Sequence, residues 1–134
     1  MTRIQIVIDT VAGAVGAAIG FLFGEVTGLF WALIAFMSMD YISGVIIAVI
    51  ERKLSSETGF KGLAKKLVIL CFVAMGHIID AYVIGSSSVF MTAVILFYTA
   101  NEGISLLENA SLLGLPVPER LKGILLQIKR KGEE

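Results

Sequence analysis

The sequence predicts an all-α polytopic membrane protein with four transmembrane helices, both termini on the cytoplasmic side, and a C-terminal amphipathic helix. Hydrophobic residues make up 57% of its 134 residues, and the mean hydropathy is +0.89. Soluble domains of this size are less apolar, because they need a polar surface. Four apolar stretches are long enough to cross about 30 Å of hydrocarbon. Basic residues are confined to segments that would all lie on one side.

The chain is expected to form a single membrane domain over residues 1–134. The four spans are predicted at about 4–24, 26–50, 67–85 and 86–107. The connectors near Glu25 and Ser87 are short, which predicts antiparallel neighbouring helices. The segment 51–66 is polar and is predicted to be a cytoplasmic loop, in which Ser55 or Ser56 could cap the following helix. Asp9 and several glycines weaken the first span, which is expected to be tilted or only conditionally inserted.

The distribution of basic residues predicts the orientation. Positive charge in short loops remains on the cytoplasmic side of a membrane. Five basic residues of the segment 51–66 are therefore expected to act as topology anchors: Arg52, Lys53, Lys61, Lys65 and Lys66. Arg3 precedes the first span, the other five basic residues lie in the C-terminal tail, and the two short connectors carry none. With four spans, this pattern predicts that the N-terminus and the C-terminus both lie in the cytoplasm.

Two other features of the sequence have simple interpretations. Arg3 and the small residues Ala14 to Ala18 resemble parts of a cleaved signal peptide, but Asp9 interrupts the apolar region and favours a retained span. The lone cysteine, Cys71, excludes an intramolecular disulfide and a cysteine-based metal cluster. It is expected to be a packing residue.

The C-terminal segment 116–134 is predicted to form a cytoplasmic amphipathic helix. Pro116 and Pro118 end the preceding span, and Pro118 can occupy the first position of a new helix. Apolar residues then recur with helical spacing at Leu121, Ile124, Leu125 and Ile128. Two placements remain open: the helix lies on the inner membrane surface with its basic residues near anionic headgroups, or it packs on the middle loop.

Glycines recur every four residues at Gly16, Gly20, Gly24 and Gly28. On a helix this spacing gives a smooth face that permits close approach of a second membrane helix. The face is interpreted either as a self-association surface between subunits or as the packing surface between the first two spans of one subunit.

Five polar residues within the predicted spans are the candidate functional residues: Asp40, His77, Asp80, Asn101 and Glu102. A charge facing lipid is costly, so these side chains should face protein or water. They either pair between helices and hold the bundle together, or line an aqueous path after subunits assemble.

Catalytic chemistry is not indicated by the sequence. Ser43 and Ser105 have no base at a recognisable spacing, and neither a phosphate-binding glycine loop nor a nucleic-acid signature is present. A metal site built from His77, Asp80 and Glu102 is conceivable, but a hydrogen-bonded helix contact is the preferred interpretation. No catalytic residue, metal or cofactor is therefore predicted, and nucleic acid is not expected to be a partner.

An ordered set of motifs between Trp31 and Lys129 resembles the bacteriophage lysis and toxin-secretion holin family. The motifs are Asp40-Tyr41-x-Ser43-Gly44, Lys53-Leu54-Ser55-Ser56, Gly59-Phe60-Lys61-Gly62-Leu63 with Lys65-Lys66, Asn101-Glu102-Gly103-Ile104-Ser105, Leu107-Glu108-Asn109, and Gly114-Leu115-Pro116-Val117-Pro118-Glu119. The resemblance implies a small protein of phages and prophages of Gram-positive bacteria, located in the bacterial cytoplasmic membrane. It also implies that subunits oligomerise into lesions that release a cell-wall hydrolase or a toxin, without necessary direct contact with that cargo.

Membrane lipid and further copies of the chain are the partners expected for such a protein. Two alternatives stay open. One is a small oligomeric ion channel or transporter that uses Asp40, Asp80 and Glu102 as ion-binding groups. The other is a membrane scaffold that recruits a partner through its C-terminal helix.

Overall fold

The chain forms five α-helices, and the computed structural model describes residues 1–133. The helices are α1 (Arg3–Phe23), α2 (Gly28–Ile50), α3 (Ser56–Ile78), α4 (Val89–Leu112) and α5 (Glu119–Glu133). A π-helical segment, Ile79–Ile84, continues α3. No strand occurs among the described residues, which confirms the all-α class. Four helices are long and apolar enough to cross a membrane: α1, α2, α4, and α3 together with its π-helical segment.

The buried core lies where α2, α3 and α4 meet. It consists of Phe30, Leu33 and Met37 from α2, Val73 from α3 and Ile95 from α4. The side chains of Leu33 and Val73 are fully enclosed. Most other large apolar residues are exposed, which suits a bundle whose outer surface faces lipid instead of water.

Helix α3 begins eleven residues before the expected span, so only residues 51–55 of the segment 51–66 form a connector. Ser55 caps the helix: its hydroxyl accepts a hydrogen bond from the backbone N–H of Thr58 at 3.1 Å. The first eleven residues of α3 include four charged side chains, Glu57, Lys61, Lys65 and Lys66, so hydropathy did not include them in the span. We call the end of the bundle that carries this connector the basic end, and the end that carries the α3–α4 turn the turn end.

Helix α1 differs from the expected antiparallel neighbour of α2. None of its 21 residues is buried. Within residues 1–133, its main packing is against α3 and the π-helical segment that continues it. This contact lies near the C-terminus of α1, where the Phe21 ring packs against the Tyr82 ring with centroids 5.3 Å apart. The Phe23 and Phe30 rings, 5.1 Å apart, provide a local contact to α2 across the connector. Helix α1 is thus attached to the bundle at one end.

Helix α5 packs along α4 in the antiparallel direction. Leu125 is buried beside Gly103, and Gly132 lies against the α4 backbone at Phe97 and Ala93. This contact differs from packing on the middle loop, one of the two placements that the sequence left open. Location of this helix at a membrane surface stays a prediction.

Candidate functional site

The most concentrated polar cluster in the structure joins α2, α3 and α4. The Lys66 ammonium on α3 lies 2.9 Å from Asp40 Oδ2 on α2 and 2.7 Å from Glu102 Oε2 on α4. The exposed fractions of the Lys66, Asp40 and Glu102 side chains are only 15, 14 and 9%. One cation therefore bridges two carboxyl groups in a largely desolvated position, where the Coulombic attraction between opposite charges is less screened than at a surface. We call these three residues the ionic cluster.

A second layer of hydrogen bonds fixes the ionic cluster. The Asn109 amide on α4 donates to Asp40 Oδ1 at 3.2 Å and to Ser43 Oγ at 2.8 Å. The Ser43 hydroxyl in turn donates to the Asp40 backbone carbonyl at 2.9 Å. Asn109 thus links the part of α2 nearest the basic end to α4, while Lys66 links both helices to α3.

A cavity of about 600 Å³ adjoins the ionic cluster between α3 and the α2–α4 pair. Asn101, Ser105 and Tyr41 contribute polar groups to its wall. The Tyr41 hydroxyl also reaches the Gly59 carbonyl on α3, at 3.4 Å. Tyr41 of α2 and Lys66 of α3 both lie in the wall of the cavity. The polar part of this wall can hydrogen-bond water or bind ions.

Three of the five candidate residues, Asp40, Asn101 and Glu102, are therefore brought together at this site. The sequence predicts Lys66 only as a topology anchor, whereas the structure also places it between Asp40 and Glu102. A signal existed in the register of the α2–α3 hairpin. The middle of the connector is Lys53. Asp40 lies 13 residues before Lys53, and Lys66 lies 13 residues after it. Because antiparallel helices rise equally per residue, such a pair faces each other at one level.

Asp80 occupies the opposite end of the bundle and caps α4. Its side chain is 1% exposed and accepts hydrogen bonds from the backbone N–H groups of Phe90 at 3.1 Å and Met91 at 2.9 Å. The Ser87 hydroxyl donates to the same carboxyl at 3.1 Å. Unpaired N–H groups at a helix N-terminus favour a negatively charged partner. Asp80 therefore closes the turn end by satisfying the first turn of α4 from the neighbouring helix.

His77 lies apart from both polar groups, at the contact between α3 and α1. Its ring packs edge-on against Tyr82, with centroids 6.4 Å apart. It also fills the space beside Gly24, where an added Cβ would lie 2.5 Å from the imidazole. Gly24 has a φ of +65°, a conformation that disfavours other residues. This glycine ends α1 and allows the chain to pass close to His77.

The glycine row divides into two groups in the structure. Gly16 and Gly20 lie within α1, and an added Cβ at either would meet no atom within 4 Å. Gly24 and Gly28 are not part of this helix face, because α1 ends at Phe23 and α2 begins at Gly28. The small-residue face of α1 does not pack against α2 of the same subunit.

The other expected topology anchors lie around the basic end. Lys53 is exposed and forms a 3.8 Å surface pair with Glu51. Arg52 adopts a φ of 56° as the chain leaves α2. Lys61 and Lys65 are exposed along the polar beginning of α3. Over residues 1–133, no group of three His, Cys, Asp or Glu side chains is arranged to hold a metal ion.

Comparison with known proteins gives one family. The sequence model of the bacteriophage holin family matches residues 17–130, so the first part of α1 lies outside it. No solved structure matches the chain.

Several bacterial proteins are similar over most of their length. An uncharacterized Listeria monocytogenes protein, Lmo0128, is 47% identical over 119 residues, covering 89% of this chain and 84% of its own. An uncharacterized 14.9 kDa protein of the Clostridium perfringens nagH 3' region is 38% identical, covering 74% of this chain and 75% of its own. YtkC of Bacillus subtilis, also uncharacterized, is 34% identical, covering 86% and 85%. With four helices able to span a membrane and a family match over most of its length, the chain is a multi-pass membrane protein of the bacteriophage holin family.

Proposed function

We propose that this protein is a holin that oligomerises in the bacterial cytoplasmic membrane and forms lesions through which a cell-wall hydrolase (an endolysin) or a toxin leaves the cell. The observation that carries the proposal is the family match over residues 17–130. The cargo passes through the lesion and need not bind the protein. This function requires no catalytic residue and no cofactor.

In the orientation we propose, the basic end faces the cytoplasm, with the N-terminus and the α4–α5 connector on that side. From there α5 returns along α4 as far as Phe97 and Ala93. The anchors Arg52, Lys53, Lys61, Lys65 and Lys66 all follow α2 and precede the apolar part of α3. Keeping these charges on the cytoplasmic side is favoured during insertion. The turn end, which carries no basic residue between Ile79 and Val89, then faces outward.

Self-association is proposed to use the face of α1 that carries Gly16 and Gly20. This face is not occupied by another helix of the same subunit, so it is free to meet a second α1. Small residues allow the close backbone approach on which helix association in lipid depends. Attachment of α1 at one end leaves the rest of the helix accessible to a neighbouring subunit.

The ionic cluster is proposed to hold the subunit closed before lesions form. Within one subunit, Lys66 neutralises Asp40 and Glu102 and keeps α3 against α2 and α4. If α3 moves away during assembly, the same three groups and Asn101 become polar wall groups that water can solvate. Pairing between helices and lining of a lumen would then be successive roles of the same residues.

Controlled expression in bacteria, with and without a cytoplasmic wall hydrolase, tests the function. We expect an abrupt fall in culture turbidity only when the hydrolase is present, preceded by collapse of the membrane potential. Expression of an inactive hydrolase provides the control. Continuous slow growth inhibition without hydrolase-dependent lysis, at verified full expression, would contradict the proposal.

A second candidate function is an oligomeric ion channel or transporter, which the buried ionic cluster favours. In that case Asp40 and Glu102 would bind the permeating cation in place of Lys66. The two functions differ in the size of the solute released. A channel passes ions continuously and retains proteins, whereas a holin releases a cytoplasmic reporter protein in one delayed event.

A further inference from the structure

Helix α3 changes character abruptly at its third turn. Residues 56–66 include Glu57, Lys61, Lys65 and Lys66, whereas the following residues up to Ile84 contain His77 and Asp80 as their only ionisable side chains apart from Cys71 and Tyr82. In a membrane-spanning α3, the lysines therefore lie at the level of the lipid headgroups. The residues one to two turns further along contact the acyl chains.

A groove runs across this boundary on one side of α3, between α3 and α4. It is open to the outside of the bundle, has a volume of about 470 Å³, and has Lys61 and Lys65 at one end. Its remaining wall is formed mainly by Val68, Phe72 and Tyr98. The spacings from Lys61 to Lys65, from Lys65 to Val68 and from Val68 to Phe72 are four, three and four residues. These spacings place the lysine pair and the apolar residues in one row on the helix.

The two lysines of this groove differ from their neighbour Lys66. Lys66 is bound by two carboxyl groups, but neither Lys61 nor Lys65 forms an ion pair with any residue in the described part of the chain. Both are exposed. Their charges are therefore available to a ligand, and the i, i+4 spacing lets two ammonium groups approach one anion.

The groove also shares wall residues with the polar cavity beside the ionic cluster. Lys65, Ile69 and Tyr98 line both spaces. A ligand in the groove would thus find a positively charged rim beside a polar cavity at headgroup level, and an open apolar surface below them. This sequence of environments matches an amphiphile with an anionic head and an acyl chain.

We propose that the α3–α4 groove binds one anionic glycerophospholipid, with its phosphate between Lys61 and Lys65 and one acyl chain along Val68, Phe72 and Tyr98. The headgroup hydroxyls extend toward the polar cavity. A helix from a second copy would have to supply an acidic side chain at the depth of both lysines to replace the phosphate. The membrane itself supplies the lipid at the depth where the groove lies.

Lipid binding to the full-length protein, measured by native mass spectrometry from detergent, tests the site. Phosphatidylglycerol and phosphatidylcholine with identical acyl chains are compared at equal concentrations. A basic residue at a membrane surface favours anionic lipid by about five- to sixfold, so two give a preference of about thirtyfold. The double variant Lys61→Gln/Lys65→Gln should abolish that preference. A charge-matched control, Lys53→Gln/Arg120→Gln, removes two exposed charges outside the groove and should retain it.

Two further arms identify the source of the recognised phosphate. Val68→Trp fills the apolar part of the groove and should weaken both lipids while the lysines remain. Glycerol phosphate and inorganic phosphate in large excess should not displace phosphatidylglycerol. Displacement by either free anion would overturn the lipid assignment. Equal retention of the two lipids by the unaltered protein, or equal behaviour of the lysine variant and its control, would overturn the site. Hydrolase-dependent lysis is a separate readout, so failure here leaves the proposed holin function untouched.

Discussion

Replacement of Lys66 by methionine is expected to destabilise the bundle strongly. Methionine has a similar length and preserves apolar packing, but it removes the only cation within 3 Å of Asp40 and Glu102. Both carboxyl groups remain largely buried, and removal of one partner from a buried ion pair costs about 3–5 kcal/mol. The expected loss in the free energy of unfolding is therefore about 3–5 kcal/mol.

Lys65→Met is the matched control for this substitution. Lys65 is the adjacent residue in the same helix, is exposed, and forms no ion pair among the described residues. Its replacement should change the free energy of unfolding by no more than about 0.5 kcal/mol. Both variants are measured in mixed micelles by titration with a denaturing detergent, with helix content followed by circular dichroism.

A triple variant separates the loss of an ion pair from a simple packing defect. Adding Asp40→Asn and Glu102→Gln to Lys66→Met removes the carboxyl groups that the first change left without a cation. Neutral side chains in the same positions should recover most of the lost stability, since the uncompensated buried charge is what makes the single variant costly. Equal stabilities for Lys66→Met and Lys65→Met would refute the assignment of the ionic cluster as a stabilising contact. A triple variant no more stable than the single one would refute the charge argument.

Two further predictions concern the turn end and α1. Asp80→Ala removes the acceptor of two backbone N–H groups. It should lower the free energy of unfolding by about 2 kcal/mol, measured by the same detergent titration. An unchanged free energy of unfolding would show that the bundle does not depend on this cap. Gly16→Leu/Gly20→Leu should leave the stability of the isolated subunit unchanged, because both positions are open, yet delay lysis and reduce cross-linked oligomers. The control is Ala18→Leu, which lies on the opposite side of the helix. Equal lysis times for the two variants would argue against self-association through the Gly16–Gly20 face.

The number of apolar helices could be predicted from the sequence because lipid imposes a length and a hydropathy that each span must meet. Ser55 as a helix cap was also within reach, since a serine before a polar helix start has a local physical role. The early start of α3 was not apparent from hydropathy, because Ser56–Lys66 has too little apolar character to resemble a span. Its helical state depends on the Ser55 cap and on the contacts of Tyr41 and Lys66.

Partners across the bundle were harder to predict than the candidate residues themselves. Asp40 and Glu102 were identified because charges within apolar segments are costly. Their common partner Lys66 was assigned to a loop, and the error in the helix boundary concealed the hairpin register that pairs it with Asp40. Asp80 was grouped with the other polar residues, yet it binds backbone N–H groups, and an interaction with the backbone leaves no complementary side chain in the sequence.

The positions of the polar groups also bear on how one chain can be both a stable subunit and a lesion former. Polar ties close the α2–α4 bundle at both ends: Asp80 binds the start of α4 at the turn end, and Lys66 bridges Asp40 and Glu102 at the basic end. The two ties differ in what their release would expose. Loss of the Asp80 contacts would leave the backbone N–H groups of Phe90 and Met91 without an acceptor. It would not add a polar side chain to the wall of a lumen. Opening of the ionic cluster would expose three side chains that water can solvate fully. Under the proposed function, separation at the basic end is therefore the less costly route to a polar wall, and the turn end is the pivot that stays intact.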